Sequence, residues 1–315
     1  MTLYFKQFMM LLCLFVAACS EPHIQTLRIG TNVWPGYEPL YLARELGYLK
    51  KGEVDLLEYT SASQVLKAYK NGLLDAAAIT LDEAIKLLEE GEDIRVILAM
   101  DVSNGADALL GQASLKSIDD LKGKRIGVEH NALGAYFIHR VIELSGLEKQ
   151  DITIVPLQVQ QHERAFKEKD IDAVITFDPM RKKIIDMGGH VLFDSSRIPG
   201  EIVDVLVVRA EKIHLFKQNI KDLRRAWFKA IKNIQAEPHK YAKYIDMRMR
   251  MGEENVMSVF DGIAFPDKKD NALLLNGLAE KSLPYSAKKV AKIMFENGLI
   301  DSLVDTDVMF SEIAK

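Results

Sequence analysis

Side chains that could bind a small ligand recur where predicted strands end. They are aromatic, hydroxyl, carboxyl and amide groups, and we select as candidate ligand-binding residues Trp34, Tyr37, Ser61, Thr80, Asp107 and Asn131. The strand-end loops that hold such groups contain a single Arg or Lys, Arg181. Aromatic walls with few polar contacts are typical of sites for small organic molecules, whereas an anion site more often carries Arg or Lys. The pattern therefore favours a neutral or cationic ligand and is compatible with a ring in it, although helix N-termini alone can bind anions.

Sequence motifs for covalent, nucleotide or metal chemistry are absent. The chain has no Walker phosphate loop, no dinucleotide-binding glycine motif after a strand, no nucleophile elbow and no His-Glu-x-x-His pair. His130, His139 and His162 lack the spacing of zinc ligands, and we expect them on the surface or in loops. We therefore predict no catalytic residues, no metal and no cofactor.

The first candidate residues belong to a strand, loop and helix unit. Leu27–Val33 is rich in apolar and β-branched residues, Trp34-Pro35-Gly36 is typical of a turn, and a helical pattern begins at Glu38. A loop after a strand lies at the sheet edge where ligands bind in open α/β folds. Trp34 and Tyr37 are thus predicted to form one wall of a site. The alternative is that both rings only cover the top of the core.

Further strand and helix units follow along the chain. Thr80 with Glu83, and Ser61 with Gln64, match the capping-box pattern at helix starts, so these hydroxyls either bind ligand or serve only as caps. The β–α alternation predicts an α/β fold with a largely parallel sheet and helices on both faces. The run Glu201–Arg209 could return to the first lobe, and a helical tail that includes Glu253–Asp261 follows. We find no internal repeat in the sequence.

Composition excludes some classes of partner. At 315 residues and 48% hydrophobic content, the chain is long enough for about two domains. The formal net charge is −4, and Lys and Arg are dispersed. Nucleic acid is therefore not expected as a partner, because no basic stripe is present to replace phosphate counterions.

The N-terminus has the features of an export signal. One lysine, Lys6, precedes the apolar run Phe8–Ala18, which is too short for a membrane span. Val16-Ala17-Ala18-Cys19 resembles a bacterial lipoprotein box, so we predict a signal peptide over 1–18, acylation of Cys19 with a fatty acid such as palmitate, and a tether over 19–26. Plain secretion with cleavage after Ala18 is the alternative. Acylation would also account for the one thiol that the mature chain keeps.

Several segments together resemble a known family. They are WPGYEPLYLARELGYL from Trp34, NGLLDAAAIT from Asn71, GADALL from Gly105, SIDDLKGKRIGVEHNALGAYF from Ser117, DIDAVITFDP from Asp170 and PGEIVDVLVVR from Pro199. In order and spacing they resemble the extracytoplasmic substrate-binding proteins of ABC importers for nitrate, sulfonate, taurine, bicarbonate and thiamine-pyrimidine precursors. The likeness extends over nearly the whole mature chain.

The resemblance implies a two-lobed periplasmic-binding-protein fold of type II, with two crossover hinge strands and a helical C-terminal tail. The implied division is 27–107 with 204–315 for lobe 1, and 108–203 for lobe 2. Asp178-Pro179 stands where family members usually carry Trp-Glu-Pro, which adds Asp178 to the candidate ligand-binding residues. The basic residues expected around nitrate or sulfonate are not evident in the loops. The cysteine-rich segment of the related fungal pyrimidine synthase is also missing, which puts that enzyme activity in doubt.

Three functions follow as hypotheses. The first is a lipid-anchored protein, in the periplasm or at the cell surface, that delivers a small molecule to an ABC permease. The second is a ligand-binding partner of a membrane sensor. The third is an enzyme on the same fold, for which an export signal would be unexpected. The sequence leaves open the ligand, the membrane that holds Cys19 and the oligomeric state.

Overall fold

A computed structural model describes residues 25–276, 280 and 282–311. The predicted signal peptide, Cys19 and most of the predicted tether lie outside these residues. Within them, no helix is both long and apolar enough to cross a membrane.

Two mixed sheets organise the chain. The strands are β1 Leu27–Asn32, β2 Val54–Tyr59, β3 Ala76–Thr80, β4 Ile94–Ser103, β5 Ala108–Gly111, β6 Lys124–Val128, β7 Ile152–Pro156, β8 Ala173–Thr176, β9 His190–Asp194, β10 Val203–Arg209 and β11 Ile263–Ala264. One sheet has the order β11-β4-β10-β3-β1-β2 and the other β7-β6-β8-β5-β9. We call each sheet with its helices a lobe, the six-stranded lobe and the five-stranded lobe.

Helices connect the strands and form the C-terminal part. They are α1 Glu38–Glu45, α2 Ala62–Lys70, α3 Leu81–Glu89, α4 Ala132–Ser145, α5 Val159–Lys167, α6 Met180–Asp186, α7 Lys217–Ala236, α8 Pro238–Met249, α9 Lys268–Asn276 and α10 Leu283–Glu296. Buried apolar side chains cover both faces of the six-stranded sheet, with Tyr69 on one face and Trp227 on the other. This is the arrangement that the β–α alternation predicts, since a sheet needs both faces covered.

The lobes are joined by two crossings that hydrogen-bond to each other. The chain passes from β4 to β5 and returns from β9 to β10. Ser103 Oγ lies 2.7 Å from Ser195 Oγ, and Gly105 N donates to Ser195 Oγ at 2.7 Å. Because both crossings share these bonds, they form one compact connection under the cleft. The division at 107/108 and 203/204 remains a prediction.

Four expectations about local structure are corrected. The sheets are not largely parallel, because β5, β10 and β11 pair antiparallel to their neighbours. Glu253–Asp261 is not an α-helix; only Val256–Phe260 is helical, as a 3-10 turn. Ser61 precedes α2 without a side-chain cap, because its Oγ lies nearest Ser63 Oγ, at 3.4 Å. Thr80 and Glu83 do take the capping-box arrangement.

The fourth correction concerns repeats, because the structure contains one. Arg28 Nε donates to Asp75 Oδ2 at 2.9 Å in the six-stranded lobe, and Arg125 Nε donates to Asp172 Oδ2 at 3.1 Å in the other. Each pair is 47 residues apart, and a shift of 97 residues takes one pair onto the other. The same shift takes α2 onto α5. The two lobes thus repeat a βαβαβ unit with little sequence identity.

Candidate functional site

A small cavity of about 20 Å³ lies between the lobes, at the carboxyl ends of their central strands. It has room for about one water molecule. Twelve residues line it: Asn32, Trp34, Tyr37, Ala62, Thr80, Glu83, Asp107, Glu129, Asn131, Leu133, Phe177 and Asp204. None of these twelve is Lys, Arg or His. We call this space the inner cavity.

The repeat explains how the sequence brings these side chains together. Eight of the twelve lining residues fall into four pairs that are 97 residues apart: Asn32 and Glu129, Trp34 and Asn131, Thr80 and Phe177, and Asp107 and Asp204. Asp204 pairs with Thr80 in the ladder between β10 and β3, and the residue after it, Val205, pairs with Ile79. Ala108, the residue after Asp107, pairs with Thr176 in the same way. The two aspartates therefore enter the cavity from equivalent points of the two crossings.

The aromatic wall is fixed by hydrogen bonds to buried acids. Trp34 Nε1 donates to Asp101 Oδ2 at 3.2 Å, and Tyr37 OH donates to Asp204 Oδ1. Gly36 lies between them, where a Cβ would come within 2.0 Å of Asp101 Oδ2, so only glycine fits. Both rings are at least 96% buried and belong to the core of the six-stranded lobe. The two interpretations of these rings are therefore compatible, because each ring both packs in the core and lines the cavity.

The cavity carboxyls hold protons more tightly than usual. Burial raises the pKa of Asp107 to about 7 and that of Asp101 to about 8. Burial, with help from neighbouring Asp82, raises the pKa of Glu83 to about 8, and burial beside Asp101 raises the pKa of Asp204 well above its usual value. The ladder places Asp204 directly opposite Asp101, where two negative charges would repel. Around neutral pH this cluster therefore carries less negative charge than its number of acids suggests.

Contacts across the cleft hold the lobes together. Ser63 Oγ donates to Glu129 Oε1 at 2.6 Å, and Asn131 Nδ2 donates to Glu83 Oε1 at 2.9 Å. The Trp34 and Phe177 rings meet edge to face, with centroids 5.3 Å apart. The structure is therefore a closed form, and an organic ligand larger than a water molecule needs the lobes to separate.

A larger space adjoins the inner cavity. This outer groove of about 560 Å³ shares Glu83, Glu129 and Asn131 with the cavity. Ten of its nineteen lining residues are apolar, and its basic or imidazole side chains are those of Lys67, Lys70, Lys86 and His130. Two of these lysines are neutralised, Lys70 by Glu90 at 3.0 Å and Lys86 by Glu89 at 2.8 Å. The groove is of a size usual for ligand sites and offers a way into the cavity.

The candidate residues differ in where the structure places them. Trp34, Tyr37, Thr80, Asp107 and Asn131 line the inner cavity. Ser61 is buried beside it, next to Ala62, which does line it. Asp178 lines neither space; its Oδ1 accepts from Lys182 N at 3.0 Å, at the start of α6, while the neighbouring Phe177 faces the cavity. A binding role for each of the seven remains a prediction.

The acids that line the cavity were only partly anticipated. Asp204 lies in an apolar, β-branched run that we interpreted as a crossing strand, and Glu83 was interpreted only as a helix cap. A charged residue inside such a run is itself a signal, because a buried acid needs a partner or a role. Glu129, which follows β6, was not selected, since several acids at predicted strand ends looked alike in sequence. The same is true of Asp101, which lies within β4 and does not line the cavity.

The prediction that the three histidines lie at the surface or in loops is wrong for one of them. His162 is not at the surface but 99% buried in α5, where Nδ1 lies 3.2 Å from Thr176 Oγ1 and burial lowers its pKa to about 4. Among the described residues, no group of three or more His, Cys, Asp and Glu side chains has the arrangement of a metal site.

Comparison with known proteins places the chain in a family. Residues 20–247 match the model of the NMT1-like family. A Brucella abortus protein with the provisional name of binding protein is 29% identical over 158 residues, which are 49% of this chain and 48% of that protein. The taurine-binding periplasmic protein of Escherichia coli is 22% identical over 193 residues, 60% of each. The chain thus spans about half or slightly more of the length of these curated relatives.

Solved structures share the fold. The alkanesulfonate-binding protein SsuA of Xanthomonas axonopodis pv. citri, bound to MOPS, superposes with a TM-score of 0.76 at 17% identity and covers 92% of this chain and 98% of its own. The desulfurization enzyme DSZB superposes with a TM-score of 0.64 at 15% identity, covering 91% and 97%. The predicted periplasmic-binding-protein fold is confirmed by these neighbours. Because the family model matches residues 20–247, which include strands of both sheets, the chain belongs to the NMT1-like family.

Proposed function

We propose that this protein is a lipid-anchored solute-binding protein that captures a small organic molecule between its lobes and delivers it to an ABC permease. The observation that carries the proposal is the inner cavity, whose lining comes from both lobes and from both crossings. A ligand that contacts both lobes at once favours the closed form by its differential affinity for that form. Permeases can recognise such a closed form as the loaded one.

The two tryptophans provide a direct test of ligand capture. Trp34 lines the cavity, whereas Trp227 is completely buried in the core against Phe265. In Trp227→Phe, Trp34 is the one indole that remains, so we expect its fluorescence to change when a ligand from an extract of the source cells binds. In the matched Trp34→Phe variant, the same extract should leave the emission of Trp227 unchanged.

Native mass spectrometry of the purified chain identifies what was captured. We expect a small molecule that dissociates on denaturation and is lost in Trp34→Ala but kept in Tyr285→Ala, since Tyr285 is 47% exposed and far from the cleft lining. No bound molecule, together with unchanged Trp34 emission in every extract, would contradict capture in the cleft.

The anchor has its own matched pair of variants. Cys19→Ala should release the protein from the membrane fraction and abolish incorporation of labelled palmitate. Cys13→Ala should do neither, because Cys13 lies in the segment that is predicted to be removed. Equal membrane association of both variants would mean that Cys19 is not the anchor.

A membrane sensor is the alternative partner. Deletion of the gene should abolish uptake of the captured molecule if the partner is a permease. If the partner is a sensor, deletion should leave uptake intact and change the output of that sensor. Uptake and sensor output, both measured with the same captured ligand, therefore distinguish a permease from a sensor.

An enzyme is the second alternative, and the likeness to a desulfurization enzyme is the observation that favours it. The inner cavity offers no Cys or His among the described lining residues, which leaves carboxyl, hydroxyl and amide groups for chemistry. The captured molecule should leave the protein unaltered if the protein only binds it. Conversion of that molecule by the purified chain would support the enzyme instead.

A further inference from the structure

The charge of the ligand can be inferred from the acids that the fold leaves without a cation. Eleven Asp and Glu side chains are buried in the described part of the chain. Five have an Arg or Lys within ion-pair distance: Glu38, Asp75, Asp178, Glu201 and Asp222. The other six are Asp82, Glu83, Asp101, Asp107, Glu129 and Asp204. Four of these six line the inner cavity. The other two adjoin lining residues, since Asp82 precedes Glu83 and Asp101 lies opposite Asp204 in the ladder.

The contrast with Glu201 shows what the cavity lacks. Glu201 is 97% buried and accepts from Arg140 Nε at 2.8 Å, Lys289 Nζ at 3.0 Å and Tyr136 OH at 2.7 Å. Because a buried carboxylate without such partners is costly, the fold supplies cations where the acid is only structural. No cation is supplied at the cavity lining.

Unpartnered polar atoms face or adjoin the same space. Thr80 lines the cavity and is 95% buried. Its Oγ1 takes the capping-box position toward Glu83 N, but no partner among the described residues reaches hydrogen-bond geometry with it. Asp101 Oδ1 is also buried without a partner among the described residues. A buried acceptor without a hydrogen bond costs free energy, and a ligand that donates a hydrogen bond to it removes that cost.

Arg181, the one basic residue of the predicted strand-end loops, does not reach the cavity. Arg181 Nη1 lies 3.7 Å from Asp178 Oδ2, and Arg181 lines neither the cavity nor the groove. An oxyanion in the cavity would face four acids with no Arg or Lys in the lining. Above the pKa values of these acids, repulsion between like charges at low dielectric makes this arrangement unfavourable. Below those values an oxyanion can be held only while the acids keep their protons.

We infer that the ligand of the inner cavity is a small organic cation with N–H donors, such as a ring that carries an amidinium or ammonium group. Because the closed cavity holds only about one water molecule, this ligand enters when the lobes separate. Its charged end then lies between Asp107 and Asp204, which project from equivalent positions of the two crossings, and its flat part lies against Trp34, Tyr37 and Phe177. Aromatic faces attract cations, and carboxylates pair with amidinium-like donors through two parallel hydrogen bonds. This inference rests on the proposed capture of a ligand in the cleft.

Binding of a cation should release protons. The groups that face Asp107 and Asp204 are Tyr37, Glu83, Glu129, Asp82 and Asp101, all acidic or neutral. Burial keeps the pKa of Asp107 at about 7, so the empty site holds protons that a cation displaces. Affinity for a cation should therefore rise between pH 5.5 and 7.5, by up to tenfold per pH unit for each proton released. An oxyanion would show the opposite trend.

Three probes of almost equal shape and different charge test whether the site selects its ligand by charge. Benzamidine is a cation, benzamide is neutral and benzoate is an anion. By calorimetry at pH 7.5 with the purified full chain, we expect benzamidine to bind at least tenfold more tightly than benzamide, and benzoate not to bind. Repeating the titration in buffers of different ionisation enthalpy should reveal proton release. Equal or tighter binding of benzamide or benzoate would overturn the inference, and so would no binding of benzamidine.

Isosteric variants locate the charge. Asp107→Asn and Asp204→Asn should each weaken benzamidine at least tenfold and remove part of the pH dependence. Asp55→Asn is the matched control, since Asp55 is exposed on β2 and should change nothing. Arg181→Gln should also leave benzamidine unaffected. Unchanged affinity in both cavity variants would place the cation elsewhere and overturn the assignment.

A second set of probes separates the inference from the proposed function. If taurine, ethanesulfonate or nitrate changes Trp34 emission and benzamidine does not, the protein captures anions; the proposed function then stands and the inference is wrong. If neither these probes nor any cell extract changes the emission, both fail.

Discussion

The two lobes use the same scaffold and differ where their strands end. Arg28 with Asp75, and Arg125 with Asp172, fix equivalent strand pairs by the same set of hydrogen bonds. At the carboxyl ends, however, an indole at Trp34 in one lobe corresponds to an amide at Asn131 in the other. The comparison shows that the repeat preserves the positions that face the cleft, while the side chains there have diverged. One lobe supplies an aromatic wall and the other a polar helix start.

The largest contrast is expected between Trp34→Ala and Asn131→Ala. Trp34 is 96% buried in the core of the six-stranded lobe, so its loss should cost about 4 kcal/mol of unfolding free energy. Asn131 caps α4 by accepting from Gly134 N at 2.8 Å and bonds to Glu83, so its loss should cost about 1 kcal/mol. Urea unfolding measures both. Equal losses would mean that Trp34 contributes little to the core.

The next contrast concerns pH and the two equivalent aspartates. Burial raises the pKa of Asp107 to about 7, so the folded state keeps a proton that the unfolded state loses near pH 4. The contribution of the Asp107 proton to the free energy of unfolding is therefore fully present below about pH 4 and is lost as the pH rises to about 7. Within that window Asp107 should contribute about −1.4 kcal/mol per pH unit to the slope of the unfolding free energy against pH.

Asp107→Asn should make the slope shallower by about 1.4 kcal/mol per pH unit, and Asp204→Asn should act in the same direction because burial beside Asp101 also raises the pKa of Asp204. The raised pKa values of Glu83 and Asp101 leave part of the slope in both variants. Unfolding in urea at pH 5, 6 and 7 without ligand measures the effect, with Asp55→Asn as control. A slope as steep in both variants as in the unchanged chain would mean that neither aspartate is protonated in the folded protein.

A smaller difference is expected between the equivalent Arg–Asp pairs. The Asp75 side chain is 5% exposed and that of Asp172 is 29% exposed. Removing the less exposed acid leaves more backbone and guanidinium donors without a partner or water. Asp75→Ala should therefore cost about 2.5 kcal/mol and Asp172→Ala about 1 kcal/mol. The reverse order in thermal or urea unfolding would contradict this reason.

The smallest contrast is between the equivalent glycines of β1 and β6. A Cβ at Gly30 would lie 2.3 Å from Leu74 Cδ1, and one at Gly127 would lie 2.8 Å from Ile171 Cδ1. Both neighbours are ends of flexible side chains that can shift. Gly30→Ala should cost about 1.5 kcal/mol and Gly127→Ala about 1 kcal/mol, because overpacking increases with the overlap. A gain in stability from either change would show that the packing there is loose.

Much of the fold could be predicted because its signals are local. The predicted strand Leu27–Val33 and the predicted crossing run Glu201–Arg209 agree with β1 and β10 within two residues, and α1 begins at Glu38 as predicted. Apolar content and Gly or Pro at the ends define these elements. The short strand Ile263–Ala264 was missed, because two residues give no period. The 3-10 turn Val256–Phe260 was taken for part of a helix, because apolar spacing over one turn does not distinguish the two.

The candidate site was predicted in part. Strand-end position was enough to select Trp34 and Asp107, which line the cavity. It was not enough to find Asp204, which lies in an apolar strand and becomes a cavity residue only through the antiparallel ladder with β3. It also did not distinguish Phe177, which faces the cavity, from Asp178, which turns to the start of α6.

The sequence by itself determined the order of strands and helices, the family resemblance and the scarcity of basic residues at the strand ends. Only the tertiary structure decided which sheet each crossing strand joins, that the lobes repeat one unit, and that six buried acids without cations meet at one cavity. Local sequence patterns determine whether a short segment forms a helix or a strand. A shared cavity, in contrast, depends on pairing between segments as far apart as Thr80 and Asp204, which no local pattern specifies.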